Sequence, residues 1–147
     1  MIEIKKYICF KLNEQLFGIP IEQIKEVVSN LEITPVIHTP DYIKGVINLR
    51  GEIVVVFDFK SLFLLKKNNS LSEKIIIVYY DNKTFGIIID EMIGIYSSDE
   101  NLSNTLPPTL SEEVKNYFSG VLIYQKKPVT IINIPNILNS EAVKRFE

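Results

Sequence analysis

The side chains able to do chemistry are few. The chain has one cysteine, Cys9, and one histidine, His38, in 147 residues. A structural zinc site takes four Cys or His ligands, so this inventory excludes one. It also excludes a disulfide and a CxxC redox pair. A Ser-His-Asp or Cys-His centre would have to use His38 as its base. His38 sits between Ile37 and Thr39-Pro40, a turn context, and reads as a surface histidine rather than a base. Cys9 alternates within an apolar run, and nothing nearby marks a low-pKa thiolate. Asp58 and Asp90 each close an apolar run and could form a carboxylate pair for acid–base work. The plainer reading is that both cap strand ends or turns. GxxxxGK[ST], GxGxxG and GxSxG are all absent. No metal and no cofactor is expected.

One polar segment stands out. Asn48-Leu49-Arg50-Gly51 joins two very apolar runs and holds one of the chain's two arginines, the other being Arg145. Elsewhere the basic charge is lysine. Arginine offers a planar donor fork suited to a carboxylate. Glu26, expected on a helical segment ahead of Val27-Val28, is the candidate partner. The plainer reading is two surface charges worth little energetically.

The elements that must position these residues are mostly strands. Short runs rich in Ile, Val, Phe and Tyr lie at 7–12, 46–49, 53–59, 75–80, 84–90, 120–124 and 129–134, each bounded by turn residues. Helical signals are fewer. Ile21, Ile24 and Val28 recur at helical spacing after Pro20, predicting a helix there. Thr109 and Glu112 have capping-box spacing, predicting a short helix over 113–117. Pro135 suits the start of a C-terminal helix carrying Ile137 and Leu138. Residues 66–74 read as a linker and 101–108 as a second loop.

An internal repeat organises these runs. Gly45-Val46, Asp58 and Phe63 recur as Gly120-Val121, Asn133 and Leu138 at one offset of 75 residues. Phe17-Gly18-Ile19 and Ile24 recur as Phe85-Gly86-Ile87 and Met92 at an offset of 68. The repeat predicts a mainly β chain of two small barrels of about five strands each. The expected subdomains span about 14–66 and 74–134, with an N-terminal strand and a C-terminal helix packed across them. Each half alone is marginal for independent folding, so the halves should share a core with a binding groove between them.

Composition narrows the function classes. Hydrophobic residues make up 46% and charged residues 23%, so the chain has the means to build a core. The formal net charge of −2 argues against nucleic-acid binding. Lys66-Lys67 and Lys126-Lys127 are isolated pairs, better read as solvated loops. The N-terminal stretch lacks the apolar core of a signal peptide, and no apolar run is long enough to cross a bilayer. A soluble cytoplasmic protein is expected, and Met1 with its short lead-in reads as the start of a stand-alone chain.

These segments resemble the CheW-like coupling proteins of bacterial chemotaxis. The likeness runs through Phe17-Gly18-Ile19-Pro20-Ile21 and Ile24-Lys25-Glu26-Val27-Val28. It continues over Pro40-Asp41-Tyr42-Ile43-Lys44-Gly45-Val46-Ile47-Asn48-Leu49-Arg50-Gly51 and Val56-Phe57-Asp58-Phe59. In the second half it takes in Phe85-Gly86-Ile87-Ile88-Ile89-Asp90, Gly120-Val121 and residues 134–141. Val55 departs from it, since the family often has proline there. The resemblance implies two SH3-like five-stranded β-barrel subdomains and a non-enzymatic adaptor. Such adaptors link the cytoplasmic tips of methyl-accepting chemoreceptors to the regulatory domain of the histidine kinase CheA, recruited to membrane-associated signalling arrays. Carried over residue by residue, Ile24, Glu26, Val28, Gly45, Asn48, Leu49 and Arg50 are the expected coupling residues. The resemblance places kinase contact at Ile87, Ile89, Ile93, Ile95, Leu102 and Leu106. In the expected mechanism Ile24 and Val28 give apolar area to a receptor helix, while Glu26 and Arg50 set its orientation. The alternatives are a CheW-like regulatory module of a related kinase pathway and an Asp-dependent enzyme.

Overall fold

The computed structural model describes residues 3–66 and 74–145. Most of the 66–74 stretch expected to be a linker lies outside the described residues. The strands are β1 (Lys5–Leu12), β2 (Gln15–Pro20), β3 (Ile24–Ser29), β4 (Ile43–Leu49) and β5 (Glu52–Phe57). They continue as β6 (Lys74–Tyr80), β7 (Lys83–Ile89), β8 (Glu91–Ser98), β9 (Phe118–Tyr124) and β10 (Lys127–Ile132). Short helices follow β5 and β10: α1 (Phe59–Leu62), α2 (Ile134–Leu138) and α3 (Glu141–Lys144). Single 3-10 segments occupy Ile21–Gln23 and Glu112–Tyr117.

The helix expected through Ile24 and Val28 is a strand. Only one 3-10 turn follows Pro20, and then β3 begins. Ile24, Glu26 and Val28 are the half-buried alternate residues of that strand. Their spacing fits a period of two as well as the helical period, and tertiary pairing with β6 decided between them. The helix expected over 113–117 is the 3-10 segment, whose cap is Ser111 rather than Thr109. Thr109 instead donates its hydroxyl to Gln15 Oε1 at 2.7 Å.

Two five-stranded sheets result, with orders β8-β1-β2-β10-β9 and β3-β6-β7-β5-β4. Each sheet takes strands from both halves of the chain. After β2 the chain crosses to the second sheet, and after β7 it crosses back to the first. Sheet membership therefore cuts across the expected division into 14–66 and 74–134. The exchange is symmetric under the repeat. Phe10 pairs with Met92 across β1 and β8, and Val78 pairs with Ile24 across β6 and β3, related by the 68-residue offset. A register shift interrupts both pairs at the same place. The parallel pairs Gly18–Ile131 and Val56–Gly86 are likewise equivalent.

Each sheet curls over a small core of its own. Ile47, Leu49, Val54, Val56, Ile75 and Ile77 fill one. Tyr7, Cys9, Leu122, Val129 and Ile131 fill the other. The largest cluster lies between the sheets and under the C-terminal helices. It includes Phe10, Phe17, Phe57, Phe59, Phe63, Ile87 and Ile89. Phe63, at the end of α1, stacks edge-on to Phe118 at 4.7 Å between centroids and lies 5.7 Å from Phe17, both on the first sheet, while Phe59 of α1 lies 6.2 Å from Phe57 on the second. Aromatic pairs of this kind add about 0.5–1.5 kcal/mol beyond their area burial. The shared core explains why two marginal halves form one stable unit.

Gly45 and Gly120 show the repeat at atomic scale. Their φ values are +150° and +149°, a region side chains rarely adopt. A Cβ on Gly45 would run into the Thr34 carbonyl, and one on Gly120 would lie 2.6 Å from the Ser103 carbonyl. Both glycines let an incoming segment pass close over the sheet, where Thr34 pairs with Val46 and Ser103 with Val121.

Candidate functional site

The β4–β5 hairpin presents Arg50. Arg50 and Gly51 form its two-residue turn with φ of 51° and 86°, the left-handed pair such hairpins require. Asn48 Oδ1 accepts from the Gly51 N–H at 2.8 Å and stiffens the turn. The Arg50 guanidinium then reaches across to β3 and donates to Glu26 Oε2. β3 and β4 are the two outer strands of their sheet, so this pair joins strands that no ladder connects. The Arg50 side chain is 67% exposed and that of Glu26 is 25% exposed. The arrangement is a surface-facing ion pair over an apolar strand end, with donors of the guanidinium open to solvent.

The other expected coupling residues divide by burial. Asn48 is exposed beside Arg50. Leu49 is buried in the sheet's own core, and Val28 packs on that core. Ile24 packs on the core between the sheets. Gly45 is buried and acts through the close approach of residue 34. Leu49 is covered, while Ile24 and Val28 are half-buried, as Glu26 is. The exposed apolar residues nearby in the fold are Val27, between Glu26 and Val28, and Ile53, which pairs with Asn48. Alternation signals two faces of a strand but not which face another layer covers.

Among the expected kinase-contact residues, Ile87 and Ile89 lie in the core between the sheets, at 0% and 1% exposure. They pack inside that core. Ile93, Leu102 and Leu106 are half-buried, and Ile95 is 57% exposed.

Asp58 and Asp90 hold the fold together. Asp58 caps α1, accepting from the Lys60 N–H at 3.0 Å. Asn133 caps α2 in the equivalent place, accepting from the Asn136 N–H at 3.0 Å. Asp90 accepts from Lys60 Nζ at 2.9 Å and from the Asn13 N–H at 2.6 Å. That contact links the β1–β2 turn, α1 and the β7–β8 crossing. His38 is exposed in a turn with φ of 64°. Cys9 is fully buried, and burial pushes its thiol up to about 12. Burial also raises the Tyr7 and Tyr96 hydroxyls above their ordinary value. Among the described residues no cluster of His, Cys, Asp and Glu could hold a metal ion, and no helix is long and apolar enough to cross a membrane.

An apolar groove of about 340 Å³ lies where the second sheet meets the C-terminal helices, lined by Val55, Phe57, Phe85, Leu138 and Val143 with Lys83 and Thr84. Neither Glu26 nor Arg50 lines it.

Comparison with known proteins agrees with this architecture. Residues 6–142 match the model of the CheW-like domain. The chemotaxis protein CheW of Rhizobium meliloti is 27% identical over 139 residues, covering 93% of this chain and 89% of that protein. The chemotaxis protein CheW of Helicobacter pylori is 27% identical over 140 residues, covering 95% and 84%. Among solved structures, the scaffolding protein TtCheW from Thermoanaerobacter tengcongensis superimposes with a TM-score of 0.82 at 31% identity, covering 95% of this chain and 91% of that one.

Proposed function

The chain belongs to the CheW-like family, and from that premise we propose that it is a non-enzymatic chemotaxis adaptor joining chemoreceptor tips to a CheA-type histidine kinase. The observation that carries this reading is the Glu26–Arg50 pair. It fixes the β4–β5 turn against β3 at the positions that the family resemblance associates with coupling. A guanidinium held by one carboxylate keeps a defined direction while leaving donors for a partner's carboxylate or carbonyls.

The contact surface is Arg50, Glu26 and Asn48 with Val27 and Ile53 as the apolar component, in place of Ile24 and Val28. Gly45 supports that surface from beneath. A second contact, to the kinase's regulatory domain, uses Ile95 and the loop carrying Leu102 and Leu106. The work is done by surfaces. Asp58 and Asp90, the acid–base pair an enzyme would need, are engaged as a helix cap and an ion-pair partner. Localisation follows from the partners: the cytoplasmic face of receptor arrays.

Co-sedimentation tests the reading. The chain is mixed with vesicles carrying a receptor signalling tip and with CheA kinase. Co-pelleting of all three, reduced by Arg50→Glu, is the expected result. A chain that stays in the supernatant with both partners present would contradict it.

A further inference from the structure

The β4–β5 turn holds Arg50 in a conformation that arginine does not favour. A two-residue hairpin loop of this kind needs positive φ at both residues, which asparagine and glycine supply most readily. Gly51 fills the second place at +86°, but arginine fills the first at +51°. The left-handed region crowds a Cβ against the following carbonyl, so a plain turn would not take arginine there.

One side chain offsets that strain. The ladder between β4 and β5 ends at the Leu49–Glu52 pair, and the Gly51 N–H lies beyond it. Asn48 Oδ1 accepts that N–H at 2.8 Å and closes the turn from the β4 side. The other repeat makes a similar turn with a different residue in that place. Gln125 and Lys126 have φ of 50° and 66° beyond the Tyr124–Lys127 pair, and the 75-residue offset puts Ile123 where Asn48 stands. An isoleucine side chain has no acceptor to offer. At that end the rings of Tyr96 and Tyr124 stack with centroids 3.8 Å apart. The asparagine thus occurs at the end where a guanidinium reaches across to the outer strand.

We propose that Asn48 is a positioning residue: it locks the strained turn so that the Arg50 fork is already aimed when a partner arrives. It acts through Arg50 rather than by a contact of its own. This role rests on the adaptor reading for what the fork meets, but not for how the fork is held. An arginine side chain has many rotamers, and ordering it at an interface lowers affinity unless the order exists beforehand. Glu26 holds the far end of that side chain, and Asn48 holds the backbone at its root. With the root released, the turn is free to leave the left-handed geometry and the fork loses its direction.

Asn48→Ala removes the acceptor, and Asn48→Asp keeps it. Asn48 is exposed, so neither change disturbs the core. On the isotopically labelled chain alone, Asn48→Ala should speed Gly51 amide exchange about fivefold, the loss of one hydrogen bond. It should also lower the order of the Arg50 Nε–H vector in nitrogen relaxation, and aspartate should restore both. In titrations with a receptor signalling tip, Asn48→Ala should weaken binding about three- to tenfold, the loss of one pre-ordered side chain. Added to Arg50→Ala, the same substitution should change nothing further, because no fork is left to position. Gly51 exchange and Arg50 order that ignore Asn48→Ala would overturn the proposal. So would an equal loss of affinity with and without the guanidinium, which marks a direct contact by Asn48. A tip that binds the parent and Arg50→Ala alike, while Gly51 and Arg50 respond as expected, removes the adaptor reading and leaves the positioning of the fork standing.

Discussion

Reversing the charge at Arg50 separates folding from function. Exposed ion pairs contribute about 0.2–1 kcal/mol, and the Arg50 side chain is 67% exposed, so the lost attraction is small. Arg50→Glu also sets two carboxylates side by side, which costs about 1 kcal/mol near 4 Å in a water-like medium. The total, about 1–2 kcal/mol, is modest against the roughly 5–15 kcal/mol that holds a typical domain. The variant should remain folded, with a small fall in its urea midpoint. Receptor binding should respond far more. An arginine anchor at an interface is commonly worth about 2 kcal/mol or more, a loss near thirtyfold in affinity. The double variant Glu26→Arg/Arg50→Glu restores the attraction but moves the guanidinium onto β3. It should recover the urea midpoint and stay at least about tenfold weak in binding. Calorimetric titration with a receptor signalling tip, beside urea unfolding, measures both. A folded Arg50→Glu protein that binds like the parent would refute the reasoning. So would a swapped variant whose binding is fully restored, since the fork's position would then be irrelevant.

Further outcomes follow from the same physical arguments. Gly45→Ala and Gly120→Ala should each cost about 2–4 kcal/mol in chemical unfolding, because both force a carbonyl aside from a positive-φ site. Asp58→Asn should cost under about 1 kcal/mol, since Asn133 already serves as that cap in the other repeat, and asparagine caps as well as aspartate. Lys60→Met should cost about 3 kcal/mol in the same assay, because it breaks the buried pair with Asp90. Stability should fall as pH rises from about 9 to about 12, as the unfolded Cys9 thiol ionises before the buried one. Urea midpoints against pH should show that decline, and Cys9→Ala should make it shallower, the raised Tyr7 and Tyr96 hydroxyls accounting for what remains.

Much of the fold was legible in the sequence because the repeat placed glycines, caps and turns at fixed offsets. Asp58 and Asn133 stand 75 residues apart, and each caps the helix that follows its strand. The exchange of the β1–β2 and β6–β7 hairpins between sheets was not legible. Strand pairing over such distances depends on which edges meet, and the apolar runs look alike on either side. β3 itself was hidden because Ile24 and Val28 sit four residues apart, a spacing common to helix and strand. Arg50 was found through its rarity and its turn, and Glu26 through chemistry. Ile87 and Ile89 came into the kinase-contact expectation through the resemblance, and the apolar run 84–90 carries no sign that a second layer covers them. The Tyr96–Tyr124 stack went unnoticed because aromatic residues spread through strands read as core.

Receptor control of kinase activity tests the central claim most directly. Autophosphorylation of a CheA kinase is measured with a receptor signalling tip present, with and without this chain. The account predicts that receptor-dependent stimulation requires the chain and is lost with Arg50→Glu. Stimulation that is the same with and without the chain would contradict it.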